Sequence, residues 1–240
     1  MKSDIKTEKM DVVILCGGRG ERLKHLLNGR SKPMLEINGR PFLDILIDYI
    51  ASLGFRRFVL CTGYKAHLIR NYYSNKKGRG IIILFSEEKY PLGTAGALRN
   101  AQPFVKSSHF LLFNGDSICR LDLCDFVAFH KYKKALFSAV FTRPQSNSDC
   151  GFAGLDACGK IVQFNERLKT KNRCFVNAGI YIFEKSVFSF IVPKVNVSLE
   201  YNILPQLVNK RFYGYVTKEK LVDIGVPERY IMAQTALRDL

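Results

Sequence analysis

The chain is short of acidic residues: 21 Asp and Glu stand against 37 Lys and Arg, a formal charge of +16 over 240 residues. That imbalance favours an anionic partner, whether nucleic acid, nucleotide or sugar phosphate. No apolar run approaches the roughly 18 residues that a membrane span needs. The polar stretch at residues 1–10 does not resemble a secretory signal and is expected to be a disordered N-terminal extension. No C-x-x-C pair occurs among the seven cysteines, at 16, 61, 119, 124, 150, 158 and 174, and their number is odd. These features argue against a disulfide framework or a zinc site and for buried free thiols in a reducing cytoplasm. The four histidines, His25, His67, His109 and His130, show no ligand spacing and read as structural or surface residues. Repeats, low-complexity tracts and long linkers are missing too, so residues 11–240 are expected to form one domain around one sizeable core.

The stretch with most chemical content is residues 12–23, VVILCGGRGERL. Val12 to Leu15 read as a buried strand that runs into Gly17, Gly18 and Gly20. Glycines there let the backbone turn sharply and bring bare N–H groups close to an anion. Arg19 and Arg22 share the loop, and Lys32 follows in Ser31-Lys32-Pro33-Met34. The pattern reads as a polyphosphate cradle at the carboxyl end of a first strand. It lacks the Gly-Lys-Ser/Thr ending of a P-loop, and Leu23 stands where a dinucleotide fingerprint has its third glycine.

Strand and helix then alternate. A helix from Pro41, with Phe42, Leu46, Tyr49, Ile50 and Leu53 at helical spacing, ends at Gly54; a strand at 58–61, a helix at 66–73 and a strand at 81–85 follow. This order predicts a parallel sheet with helices on both faces. Gly93 and Thr94 open a further helix, with Thr94 as its cap and small residues that permit close approach of a flat ligand. The strand at 110–113 ends in Asn114-Gly115-Asp116, which aims Asp116 at the sheet edge where ligands bind. The second half predicts a helix at 123–133, a strand at 136–141, a hairpin at 151–155 and 160–164, and a long strand at 175–183 interrupted by Asn177 and Gly179. Helices are expected at 199–208 and 227–238.

In this order, Gly-Gly-x-Gly-x-Arg-Leu, Lys-Pro-Met, Asn114-Gly115-Asp116, Phe164-Asn165-Glu166-Arg167, Val176-Asn177-Ala178-Gly179-Ile180 and Asp223-Ile224-Gly225-Val226-Pro227 resemble the signature of the sugar-1-phosphate nucleotidyltransferases. The resemblance runs from about Asp11 to Leu237, and the short form is most similar to D-glycero-D-manno-heptose 1-phosphate guanylyltransferases. It implies an α/β nucleotidyltransferase (Rossmann-like) fold with a mixed, mostly parallel central sheet and no C-terminal β-helix. It further implies a nucleotide-binding half at about 11–120 and a sugar-binding half at about 121–240. Two departures stand out. Arg167 replaces the family lysine that holds the sugar's phosphate, keeping the charge but changing reach. Cys150-Gly151 replaces Tyr-Gly, leaving Gly151 to offer its backbone to a sugar hydroxyl.

The implied reaction is attack of a sugar 1-phosphate on the α-phosphate of a nucleoside triphosphate, with pyrophosphate leaving in line. The catalytic residues implied are Arg22, Lys32, Asp116 and Asp223, with Mg²⁺ on Asp116 and Asp223. Arg22 is assigned to the leaving pyrophosphate; Lys32 and Arg167 hold the phosphates of donor and acceptor. Leu15, Gly17, Gly18, Gly20, Glu88, Gly93 and Thr94 are the nucleotide-binding candidates, and Gly151, Glu166, Arg167 and Asn177 the sugar-phosphate candidates. Glu88 lies five residues before Gly93, where uridine- and thymidine-using relatives often carry glutamine. A carboxylate accepts both neighbouring donors of guanine, so GTP is the expected donor, although Glu87 is an equally acidic neighbour. Taken singly, each aspartate has a bland use as a turn former or helix cap. Other classes stay open: a uridylyl- or thymidylyltransferase acting on a hexose 1-phosphate, a catalytically weak nucleotide sensor, or a nucleic-acid binder. The last rests on the charge and on the basic stretch 65–79 with Tyr64, Tyr72 and Tyr73, part of which reads as a loop, so nucleic acid is not the favoured partner.

Overall fold

The computed structural model describes residues 7–74, 80–143, 152–165 and 175–238; Gly151, Glu166 and Arg167 lie outside the described residues. The chain opens with β1 (Asp11–Leu15) and a short hairpin of β2 (Glu36–Ile37) and β3 (Arg40–Pro41). Next come α1 (Phe42–Ser52), β4 (Arg57–Thr62), α2 (Ala66–Ser74), β5 (Ile82–Glu87), α3 (Gly93–Asn100) and β6 (His109–Asn114). The second half contains β7 (Ser117–Cys119), α4 (Leu123–Tyr132), β8 (Phe137–Thr142), the hairpin β9 (Phe152–Leu155) and β10 (Ile161–Asn165), and β11 (Phe175–Glu184). It closes with α5 (Leu204–Leu207), β12 (Phe212–Thr217), β13 (Leu221–Asp223) and α6 (Pro227–Ala236).

Nine strands make one mixed sheet. β5, β4, β1 and β6 lie side by side in parallel. β11 runs against β6 and β8, β12 continues parallel to β8, and β9 and β10 extend the sheet beyond the start of β11. Only β10 and β11 oppose the common direction, so the sheet is mostly parallel, as expected. Burial on both faces explains the unbroken apolar runs of the central strands. On β1, Val12 and Ile14 join one core with Leu46, Ile50 and Phe126; Val13 joins the other with Leu98, Leu204 and Phe183. Each such side chain contributes about 1.5–3 kcal/mol by burial. Among the described residues no helix is long and apolar enough to cross a membrane.

Several local expectations change. Thr7–Lys9 form a 3-10 turn rather than a frayed end. Thr7 is buried, its Oγ1 filling the space beside Gly54, which has φ +93° and ends α1. Thr94 does not cap α3; its Oγ1 donates to Glu200 Oε2 at 2.7 Å and accepts from Leu199 N at 2.7 Å. Cys16, Cys61 and Cys119 are buried thiols, but Cys158 is exposed. β12 has no counterpart in the sequence reading, and neither does the pairing of β13 with β7.

Candidate active site

Among the described residues, the loop at residues 16–20, Lys32, Asp116 and Asp223 meet near the carboxyl ends of β1 and β6. The β1 backbone leaves the sheet at Leu15, and Cys16 N still bonds Cys61 O at 2.8 Å before the glycine loop departs. The three loop glycines serve different ends. A Cβ on Gly17 would lie 3.0 Å from Glu88 Oε1; Gly20 has φ +66° and opens the turn bearing Arg22; Gly18 faces open space. A side chain at Gly18 would meet no neighbour, so its glycine is not accounted for by packing within the chain.

Two clefts open here. The first, of about 480 Å³, is lined by the glycine loop, Arg19, Lys32, Gly63, Glu88, Gly93, Thr94, Asn114 and Asp116. The second, of about 400 Å³, is lined by Arg22, Lys32, Asn114, Asp116, Asn177, Gly179, Glu200, Asp223 and Arg229. They share Lys32, Asn114 and Asp116. Lys32 Nζ lies 2.5 Å from Asp116 Oδ2, with the lysine side chain 14% exposed. Asp223 is brought to the same place by β13. Its strand pairs Asp223 with Ser117, and Ile224 N donates to Asp116 O at 2.9 Å. Asp223 Oδ1 accepts from Gly225 N at 2.9 Å and sits 3.0 Å from Arg229 Nε. Asp223 does not cap α6, whose capping position is Val226.

The two acidic neighbours at 87 and 88 separate cleanly. Glu87 is exposed and pairs with Arg70 at 2.8 Å. Glu88 lines the first cleft, with Oε2 accepting from Leu92 N at 3.1 Å and Oε1 against Gly17 and Gly63. A Cβ on Gly63 would lie 2.5 Å from that oxygen and 2.9 Å from Glu88 Cγ, so a side chain there would displace Glu88 from this position. Burial pushes the Glu88 carboxyl above its ordinary value, against the lowering effect of the Leu92 amide.

Other candidates fare unevenly. Gly93 lines the first cleft, but its φ of +70° and a would-be Cβ contact of 2.5 Å with Val197 O explain the glycine by packing. Arg22 opens on the second cleft, and Arg19 occupies the first. Asn177 lines the second cleft, held by Tyr181 Oη at 2.6 Å and by Gly179 N at 3.1 Å. The register of β11 against β8 shifts between Asn177 and Tyr181, and Gly179 has φ +70°, which is how the strand opens there. The second cleft draws on both halves of the chain.

Sequence reasoning left three contributors unassigned. Asn114 Oδ1 is buried without a hydrogen-bond partner among the described residues, at the junction of both clefts. An unpaired buried acceptor of this kind is costly unless a ligand donor meets it. Glu200 is held by Thr94 and by Ser198 Oγ at 3.1 Å, with its carboxylate at the second cleft. Arg229 faces Asp223. The Asn-Gly-Asp motif was the one sequence signal for Asn114; Glu200 and Arg229 reach the cleft only through tertiary contacts.

Residues 11–239 match the family described as Nucleotidyl transferase. The chain is 30% identical over 230 residues to the D-glycero-alpha-D-manno-heptose 1-phosphate guanylyltransferase of Aneurinibacillus thermoaerophilus, a match covering 95% of this chain and 99% of that one. It is 31% identical over 234 residues to the mannose-1-phosphate guanylyltransferase of Mycobacterium tuberculosis, covering 96% of this chain and 65% of the relative, just under two thirds of its length. Among solved structures, HddC from Yersinia pseudotuberculosis superposes with a TM-score of 0.83 at 30% identity, over 95% of this chain and 99% of that one. The same protein complexed with GMP-PN gives a TM-score of 0.81.

Proposed function

The chain belongs to the nucleotidyl transferase family, and from that premise we propose that it transfers GMP from GTP to a sugar 1-phosphate, giving a GDP-sugar and pyrophosphate. The acceptor we favour is D-glycero-D-manno-heptose 1-phosphate, because the heptose relative matches this chain over nearly its whole length. The observation that carries the reading is the meeting of two clefts at Lys32, Asn114 and Asp116. Two polyanions can be held there with their phosphates at one junction, as an in-line transfer requires.

In this reading the first cleft takes the nucleotide, with Glu88 accepting from the guanine edge and the Gly18 N–H and Arg19 meeting the triphosphate. The second takes the sugar, whose hydroxyls would be received by Glu200 and Asn177. Lys32 neutralises phosphate charge at the junction; the glycine loop runs from the first cleft at Gly17 and Gly18 into the second at Gly20, so the pyrophosphate end of the nucleotide would follow it to Arg22, which stabilises the charge growing there. No general base is needed, because the attacking phosphate is already ionised.

Mg²⁺ fits the residues present. Asp116 and Asp223 line the same cleft as hard oxygen donors; Lys32 takes Asp116 Oδ2, and Arg229 and Gly225 N take Asp223 Oδ1, while the other oxygen of each has no partner among the described residues. Those two carboxylates would hold it, and the ion would supply charge neutralisation on the phosphates. A reducing, cytoplasmic setting suits the buried thiols.

The test is pyrophosphate release across GTP, UTP and dTTP, each paired with heptose, mannose and glucose 1-phosphates. GTP with a manno-configured acceptor should be fastest. Fastest turnover of UTP or dTTP with glucose 1-phosphate, or release from no pair at all, overturns the proposal.

A further inference from the structure

At the other end of the same strands lies a third cavity, of about 510 Å³. It opens where β1 and β6 begin, whereas both clefts described above lie where those strands end. Six residues of β6 at about 3.3 Å each put roughly 20 Å between them. We propose that this cavity is a second ligand site, built to hold the phosphate group of a small phosphorylated organic molecule.

Its charge is one-sided. Lys9, Lys131, Lys134 and Arg211 line it, and Glu184 is its one carboxylate. Among the described residues none of the four cations has an acidic partner, while Glu184 Oε2 already accepts from Ser186 Oγ at 3.0 Å. Lys131 and Lys134 sit at the carboxyl end of α4, where the helix dipole favours cations. No helix end accounts for Lys9 and Arg211, which arrive from the amino terminus and from the segment before β12. Four cations drawn from three parts of the chain to the rim of one cavity favour an anion there.

The second observation is a buried polar atom without a partner. His130 is 4% exposed and lines the cavity. Its Nδ1 lies 2.8 Å from Ser138 Oγ, and Nε2, across the ring, has no partner among the described residues. The Ser138 hydroxyl donates to Nδ1 or accepts from it according to the tautomer, and Nε2 is covered by its neighbours, so the ring lies in the cavity wall without reaching into it. The His109 ring packs edge-on against His130, with centroids 5.1 Å apart, and its Nδ1 is 3.4 Å from Ser108 Oγ at the cavity wall. Burial holds both imidazoles below their ordinary value, His130 down to about 3. At neutral pH both rings are therefore neutral, beneath a cationic rim. Met10, Val127 and Leu136 supply an apolar floor. A rim for phosphate over an apolar floor suits a phosphorylated organic molecule better than the free ion, and the volume is in the range of small-molecule sites.

The experiment follows the imidazole resonances of the isotopically labelled full-length protein by NMR. It is titrated with glucose 6-phosphate and, separately, with inorganic phosphate. Saturable movement of the His109 and His130 signals is expected, at lower concentrations of glucose 6-phosphate. Lys131→Ala with Arg211→Ala, both at exposed positions that leave the core intact, should raise the dissociation constant about tenfold or more. Arg22→Ala, in the second cleft, should leave it unchanged. Resonances that stay still throughout overturn the site. So does binding that Arg22→Ala removes and the double variant spares, since the anion then sits in the second cleft. Equal affinity for both probes overturns an organic ligand. None of these readouts involves turnover, so the result is independent of which donor and acceptor the clefts use.

Discussion

Lys32 and Asp116 form an ion pair at 2.5 Å, and both residues line both clefts. A lysine held by one carboxylate oxygen is positioned before any phosphate arrives, and the pairing spares it a search through rotamers. The second carboxylate, Asp223, reaches the same point through a two-stranded pairing of residues about a hundred positions apart.

Both aspartates should therefore be indispensable and structurally replaceable. Asp116→Asn or Asp223→Asn keeps the shape and removes the charge. Turnover with GTP and Mg²⁺ is expected to fall at least about a hundredfold. Stability should change by about 1 kcal/mol or less, because the ion pairs are partly exposed and screened. Pyrophosphate release and thermal melts measure the two. Turnover near wild type in either variant would remove that residue from the site.

The two loop arginines should divide their effects. Arg19 lines the first cleft and Arg22 the second. Arg22→Ala should lower kcat about ten- to a hundredfold with little change in KM for GTP, since charge on the leaving group grows only in the transition state. Arg19→Ala should chiefly raise KM for GTP. The converse pattern, with kcat intact in Arg22→Ala, contradicts the assignment of Arg22 to the leaving pyrophosphate.

Asp11 offers a test of stability without function. It is 1% exposed at the start of β1, away from both clefts. Its Oδ1 is 2.5 Å from Arg57 Nη1, and its Oδ2 accepts from Lys106 N at 2.5 Å and from Ser107 N at 2.8 Å. Asp11→Asn unbalances the Arg57 charge and puts a donor among donors. A loss of about 2–4 kcal/mol is expected in urea unfolding, with an unchanged slope and unchanged kcat. A loss below about 1 kcal/mol would mean that water replaces the network.

How much of this was legible beforehand follows from the range of the interactions. The runs at 12–15, 58–61 and 110–113 read as strands because burial on both faces makes them continuously apolar, and the glycines after β1 mark its exit. β12 went unread because FYGYVT has a glycine in its middle and no turn signal before it. Ser117–Cys119 and Leu221–Asp223 are three residues each, too short for any periodicity, yet their pairing joins the two aspartates. Gly93 and Thr94 were read toward a ligand. Both line the first cleft, and both also pack against Val197, Leu199 and Glu200, contacts too distant in sequence to be read from it. Glu200 was invisible for the same reason.

Base choice gives the sharpest test, because Glu88 couples it to pH. Guanine presents its ring N–H and amino group side by side, which an ionised carboxylate accepts and a protonated one matches poorly. Burial raises the Glu88 carboxyl above its ordinary value, so the proton returns at a higher pH than for an exposed glutamate. The ratio of kcat/KM for GTP over UTP should therefore be full above that raised value and decline as pH falls through it. The sign for folding is opposite: a raised carboxyl binds its proton more tightly in the folded state, so its cost to stability is felt above that value and is relieved as pH falls. Glu88→Gln keeps an acceptor for Leu92 N but sets an amide against the base, and the mismatch should lower the GTP preference by about 1–3 kcal/mol, a factor of about 5 to 150. It should also flatten the pH dependence of the ratio, which a role confined to the Leu92 contact would leave as in the wild type. Steady-state kinetics with both nucleotides across the acidic range decides. A wild type that prefers UTP, or a GTP preference that neither pH nor Glu88→Gln alters, means that the base is read elsewhere in the cleft.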